Sequence, residues 1–124
     1  MAANTEFLDF VKDQLRGLGA VTSRRMFSGA GLYCDGVIFA LLLRDTLYFK
    51  VDDANRGAYE AEGLEPFSYD AKGKTITIGT YWRVSERLFD EPDEMLAWAR
   101  AALAAGQRAA ARKGAKPLKG RRRT

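Results

Sequence analysis

The sequence predicts an α+β fold: an antiparallel sheet of about five to six strands with an N-terminal helix, a middle helix and a C-terminal helix. Three observations carry this reading. Apolar residues recur at helical spacing near both ends of the chain, alternating aromatic and branched residues fill its middle, and short turn signals separate those middle runs. At 124 residues the chain suits one domain. A chain of this size buries roughly two thirds of its unfolded surface, enough for a core without covalent staples.

Phe7, Leu8, Val11, Leu15 and Leu18 share one side of a first helix, and Gly17 and Gly19 mark its end. From about Val21 to Asp52 the pattern is that of consecutive antiparallel strands, broken at Ser28-Gly29-Ala30-Gly31, Asp35-Gly36 and Arg44-Asp45. Asp35-Gly36 is the strongest of these turns, because a two-residue hairpin needs positive φ, which Asp and Gly tolerate. VIFALLL, 37–43, is apolar on both faces and is placed centrally, covered on each side. In the next run Leu47, Phe49 and Val51 face inward, while Tyr48 and Lys50 face out.

Asp52 or Asp53 caps a short helix running to about Gly63, and strand returns through Ile76 and Ile78, with a turn at Asp70-Ala71-Lys72-Gly73. The last helix begins near Asp90-Glu91-Pro92, where proline fits the first turn and acids favour the positive end of the helix dipole. Met95, Trp98, Ala99, Ala102 and Leu103 form its buried stripe. The domain is expected to occupy 1–106. Residues 107–124, rich in Gly, Pro and cations with little to bury, are expected to be a disordered basic tail.

Charge divides the chain in the same place. Twelve of the 20 cations and all 16 acids precede position 106, so the body is net negative by four. The other eight cations, Arg108, Arg112, Lys113, Lys116, Lys119, Arg121, Arg122 and Arg123, have no acid among them. They are either a solubilising end or a phosphate-binding arm, and without interleaved aromatics such an arm reads DNA or RNA with little sequence preference. The charged N-terminal segment is unlike a signal peptide, and no apolar run approaches the roughly 18 residues of a membrane span. A cytoplasmic protein without membrane association is expected.

Catalytic chemistry has few candidates. Histidine is absent, which removes the commonest general base, the usual nucleophile-activating partner and most zinc sites. The single cysteine, Cys34, is flanked by Tyr33 and Asp35, and a neighbouring carboxylate disfavours the thiolate. Gly29 and Gly31 lie beside Arg24 and Arg25 as in an anion-binding loop, but they lead into a strand instead of a helix N-terminus. Asp53 and Asn55 start like a calcium loop, yet Leu64 stands where the loop's closing glutamate belongs. Tyr48, Tyr59, Tyr69, Tyr81 and Trp82 either line a groove or pack internally. No enzyme, metal or cofactor is expected, and catalysis by Asp52, Asp53 or Tyr81 is the weakest reading.

Several separated blocks stand together: Met26, Phe27, Gly29, Gly31, Leu32 and Tyr33; the run Leu47 to Arg56, with Tyr48, Lys50, Asp52, Asp53, Asn55 and Arg56; Pro66, Phe67 and Tyr69; Tyr81 and Trp82; and the alanine-rich last helix. In this order and spacing they resemble the N-terminal domain of the TfoX (Sxy) family, bacterial regulators of natural competence. The likeness runs from about Arg24 to Arg108. Ser28 departs from a common glycine, and Val84 from a common proline. The resemblance implies a two-layer domain and a regulatory, protein-interacting role linked to transcription, with a protein partner or a second copy as a homodimer. It also implies that this chain corresponds to the first half of longer regulators, which add a helical domain and act at promoters controlled by the cyclic-AMP receptor protein.

Overall fold

The computed structural model describes residues 5–26 and 29–119, with side chains through Lys113. Six strands form one sheet: β1 Val21–Met26, β2 Gly29–Cys34, β3 Val37–Leu43, β4 Thr46–Lys50, β5 Pro66–Ala71 and β6 Lys74–Arg83. Every neighbouring pair is antiparallel, in the order β1-β2-β3-β4-β6-β5. Three helices accompany it: α1 Thr5–Gln14, α2 Arg56–Ala61 and α3 Pro92–Lys119. The α+β expectation and the strand count both hold.

Tight turns explain the sheet's order. Asp35 and Gly36 both take positive φ, 53° and 77°, and Lys72 and Gly73 repeat this pairing between β5 and β6. Of the first turn expected at 28–31, Gly29, Ala30 and Gly31 belong to β2, and Ser28 lies outside the described residues. Their smallness serves packing between strands. A Cβ on Gly29 would collide with the carbonyl oxygen of Leu42, and one on Gly31 would lie 2.8 Å from the Met26 methyl.

Two irregularities aim particular side chains. The β2–β3 register shifts between Leu32 and Tyr33, so both Phe39 and Ala40 enter the core, fully buried. The β5–β6 register shifts between Pro66 and Phe67, and Trp82 bends inward, its indole N–H donating to the Gly79 carbonyl at 3.0 Å.

All three helices lie on one face of the sheet. Val11 of α1, Tyr59 of α2, and Met95, Ala99 and Ala102 of α3 form a single core with Leu32, Phe39, Leu42, Leu47, Phe49 and Trp82. Burying one such phenylalanine or leucine contributes roughly 1.5–3 kcal/mol. Leu47, Phe49 and Val51 face inward as expected. The expectation that β3 is covered on both sides is corrected: among the described residues no helix packs on its second face, where Leu41 is screened by neighbouring side chains.

α3 begins at Pro92 as expected, but it does not stop at Gly106. It continues through Lys119, so residues 107–119, assigned by composition to the tail, extend the last helix. Gly106 is a contact residue. An added Cβ would stand 2.5 Å from the Ile38 carbonyl oxygen, so only glycine lets the helix axis come this close to β3. Arg121, Arg122 and Arg123 lie outside the described residues.

Candidate functional site

The second face of the sheet is the first candidate surface. Side chains paired across strands share a face, so Gly31 with Leu41, Leu41 with Tyr48, Tyr48 with Arg83, and Phe67 with Ile78 define it. Met26, Ile38, Leu41, Leu43, Phe67, Tyr69, Ile78 and Tyr81 line an apolar depression of about 520 Å³ there. Tyr48 stands edge-on to Phe67 with ring centroids 4.9 Å apart, and Tyr69 is nearly half exposed. Burial pushes the Tyr81 hydroxyl up to about 12. The anticipated aromatic groove is thus divided: Tyr48, Tyr69 and Tyr81 belong to this face, whereas Tyr59 and Trp82 pack in the core on the other, 6.1 Å apart.

Cations sit around this face. The Arg24 guanidinium lies over the Tyr33 ring at 5.4 Å, and the Lys50 ammonium over the Tyr81 ring at 4.8 Å. Arg83 makes a 3.6 Å contact with the exposed Glu86.

The second candidate is a cleft where α3 passes the end of the sheet. It encloses about 670 Å³ between Tyr33, Gly36, Val37, Ile38 and Lys50 on the sheet side and Gly106, Ala109, Ala110, Arg112 and Lys113 on the helix. Burial first, then the charges of Lys113 and Arg112, hold the Lys50 ammonium below its ordinary value, with Asp52 a weaker opposing influence.

The Leu47–Arg56 block has structural work that its sequence does not disclose. Asp52 accepts two hydrogen bonds from Arg108, 2.7 Å from Nε and 3.0 Å from Nη2, across 56 residues. These bonds hold its carboxyl below the usual range. Neither Asp52 nor Asp53 caps α2 as expected; the cap position is Asn55, whose side chain makes no capping bond. Asn55 instead closes the loop, accepting from the Asp52 backbone N–H at 2.8 Å and donating to the Lys50 carbonyl at 3.1 Å. Asp53 pairs with Arg56 at 2.6 Å.

The basic residues after 106 are not one group. Arg108 is engaged by Asp52, Arg112 and Lys113 reach the cleft, Lys116 and Lys119 fall within α3, and Arg121, Arg122, Arg123 and Phe27 are outside the described residues. Cys34 is buried, and burial followed by the Asp35 charge raises its thiol pKa.

Sequence reading missed Arg87. It bonds Glu62 after α2 and Glu91 and Glu94 at the start of α3, at 3.1 Å to Glu91 and 2.7 Å to Glu94. Only the excess of acids around 86–94 signalled such a partner. None of the helices among the described residues is long and apolar enough to cross a membrane.

Comparison with known proteins agrees with this arrangement. The chain matches the TfoX N-terminal domain family over residues 13–106. It is similar to the DNA transformation protein TfoX1 of Aliivibrio fischeri, 31% identical over 90 residues, which cover 73% of this chain and 41% of that protein. The chain therefore spans less than half the length of that relative. The sheet, its covering helices and the matched span together make this chain a member of the TfoX family, through its N-terminal domain.

Proposed function

We propose that the domain is a non-enzymatic, cytoplasmic regulatory module, linked to transcription of transformation genes, that works by holding a protein partner on the open sheet face. The observation that carries this reading is the uncovered apolar depression formed by Phe67, Tyr69, Ile78 and their neighbours. Apolar surface of this kind, rimmed by polar groups, is characteristic of binding faces. The relative's name, which refers to DNA transformation, supports the regulatory context.

A double variant, Tyr69→Arg with Ile78→Lys, tests it. The protein should stay folded by near-ultraviolet circular dichroism yet fail to restore transformation-gene expression to a strain lacking its own copy. Full restoration would overturn the proposal. A light-scattering mass of one chain at high concentration would remove a second copy as the partner.

A second reading, nucleic-acid binding through the basic end, is favoured by one observation: Arg112 and Lys113 are exposed on α3, beyond the last acid at Glu94. Truncation at Gly106 is an unsuitable test, since it removes Arg108 and cuts the helix. Arg112→Glu with Lys113→Glu is better. It should make the slope of log DNA affinity against log salt concentration shallower by about 0.7–0.9 per lost phosphate contact.

A further inference from the structure

The cleft beside Lys50 has the composition of a ligand site and differs from the apolar depression in carrying all its charge as cations. Lys50, Arg112 and Lys113 are the charged residues lining it, and no acid lines it. The nearest acid acting on Lys50 is Asp52, whose two carboxylate oxygens are both committed to Arg108. Lys50 is partly desolvated and faces two like charges, with a tyrosine ring beneath its ammonium. An anion seated among the three cations would relieve that repulsion.

Charge and shape narrow the anion. A phosphate monoester carries about −1.5 to −2 charges at neutral pH and offers several acceptor oxygens, which suits three converging donors better than one carboxylate does. The remaining wall is apolar: Val37, Ile38, Ala109 and Ala110, with the edge formed by Gly106. At about 670 Å³ the cleft falls within the range of roughly 300–1,000 Å³ usual for small-molecule sites, and a bare phosphate would leave most of it empty. Gly106 brings the helix close to β3, and Arg112 and Lys113 in the turns that follow line the cleft.

We propose that this cleft binds a small organic phosphate of nucleotide size, its phosphate held by Lys50, Arg112 and Lys113 and its flat apolar part against Val37, Ile38, Ala109 and Ala110. This site adjoins the partner face, sharing Ile38 with it and meeting it where Lys50 lies over Tyr81, but none of its three cations lines the apolar depression.

Calorimetry on the whole chain with adenosine 5′-monophosphate, adenosine and inorganic phosphate tests the site. The monophosphate should bind saturably at one per chain, with the other two weaker by about tenfold or more, because each lacks one half of the recognition. Lys50→Met, and separately the exposed pair Arg112→Ala with Lys113→Ala, should each weaken the monophosphate by about tenfold or more, the cost of losing a charged hydrogen-bond donor. Lys74→Met, at the β5–β6 turn, should leave binding unchanged. Nitrogen NMR of Lys50 should show its ammonium pKa rising when the monophosphate binds. No saturation at millimolar monophosphate would overturn the site, and so would affinity unchanged in both cation variants. Binding of a long oligonucleotide without binding of the mononucleotide would also overturn it, and would return these cations to the nucleic-acid reading.

Discussion

The two faces of the sheet are built from similar residues and end in different situations. On one, Phe39, Phe49, Leu42 and Trp82 are sealed beneath α1, α2 and α3; on the other, Leu43, Phe67, Tyr69 and Ile78 have no helix over them among the described residues. Alternation along a strand assigns residues to faces, but it says nothing about which face a second layer will cover. The difference teaches that one side of the element carries its stability and leaves the other free for the partner proposed above.

The largest test of that division is a pair of truncations. Phe39→Ala, at a fully buried site, should cost about 3–5 kcal/mol in chemical denaturation. Ile78→Ala, on the open face, should cost about 1 kcal/mol or less. Equal losses would show that the open face is as much core as the covered one.

The contact between cover and sheet gives the next effect. Gly106→Ala should destabilise by up to about 2 kcal/mol, because about 1 kcal/mol of helix propensity offsets part of an overpacking cost of about 1–3 kcal/mol. Gly57→Ala in α2, where a Cβ meets nothing within 4 Å, should instead stabilise by about 0.5–1 kcal/mol. A stabilising Gly106→Ala would mean that the helix does not rest on β3 as described.

Acid should loosen the same cover. Hydrogen bonds from Arg108 depress the Asp52 carboxyl, and those from Arg87 depress Glu62 and bring Glu94 down to about 2. A carboxyl depressed by folding stabilises fully above its ordinary value and loses that contribution as pH falls through the lowered one. Stability should therefore decline below about pH 4, the ordinary carboxyl range. Asp52→Asn should make the decline shallower, and an unchanged acid limb would count against the Asp52–Arg108 clasp.

The smallest expected effect lies inside the covered face. The Tyr59 hydroxyl is buried with no hydrogen-bond partner among the described residues, and desolvation raises its pKa. Tyr59→Phe should leave stability unchanged or raise it by about 1 kcal/mol, since it removes an unsatisfied polar group. A clear loss in thermal denaturation would reveal a partner for that hydroxyl.

Much of the architecture was legible because its causes are local. Asp35-Gly36 announces a hairpin through backbone conformation alone, and Pro92 followed by acids announces a helix start. What was misread depends on distant chain. Gly106 looks like a stop signal until Ile38 is seen against it, and Arg108 looks like a free tail cation until Asp52 is found 56 residues away. The candidate surfaces were legible only in pieces. Tyr48, Lys50, Tyr81, Arg112 and Lys113 were all singled out, but no periodicity places Lys50 in the cleft with Arg112 and Lys113.

The strand order also limits how a partner can arrive. β1 and β5 are the outermost strands, each paired on one side only, and an unpaired strand invites another chain to extend the sheet. β1 carries adjacent Arg24 and Arg25, while β5 opens with Pro66, which has no N–H to donate, and bears Asp70 near its end. Charges and proline at these borders discourage sheet extension, so the proposed partner would meet side chains above the plane and not the backbone along its margins.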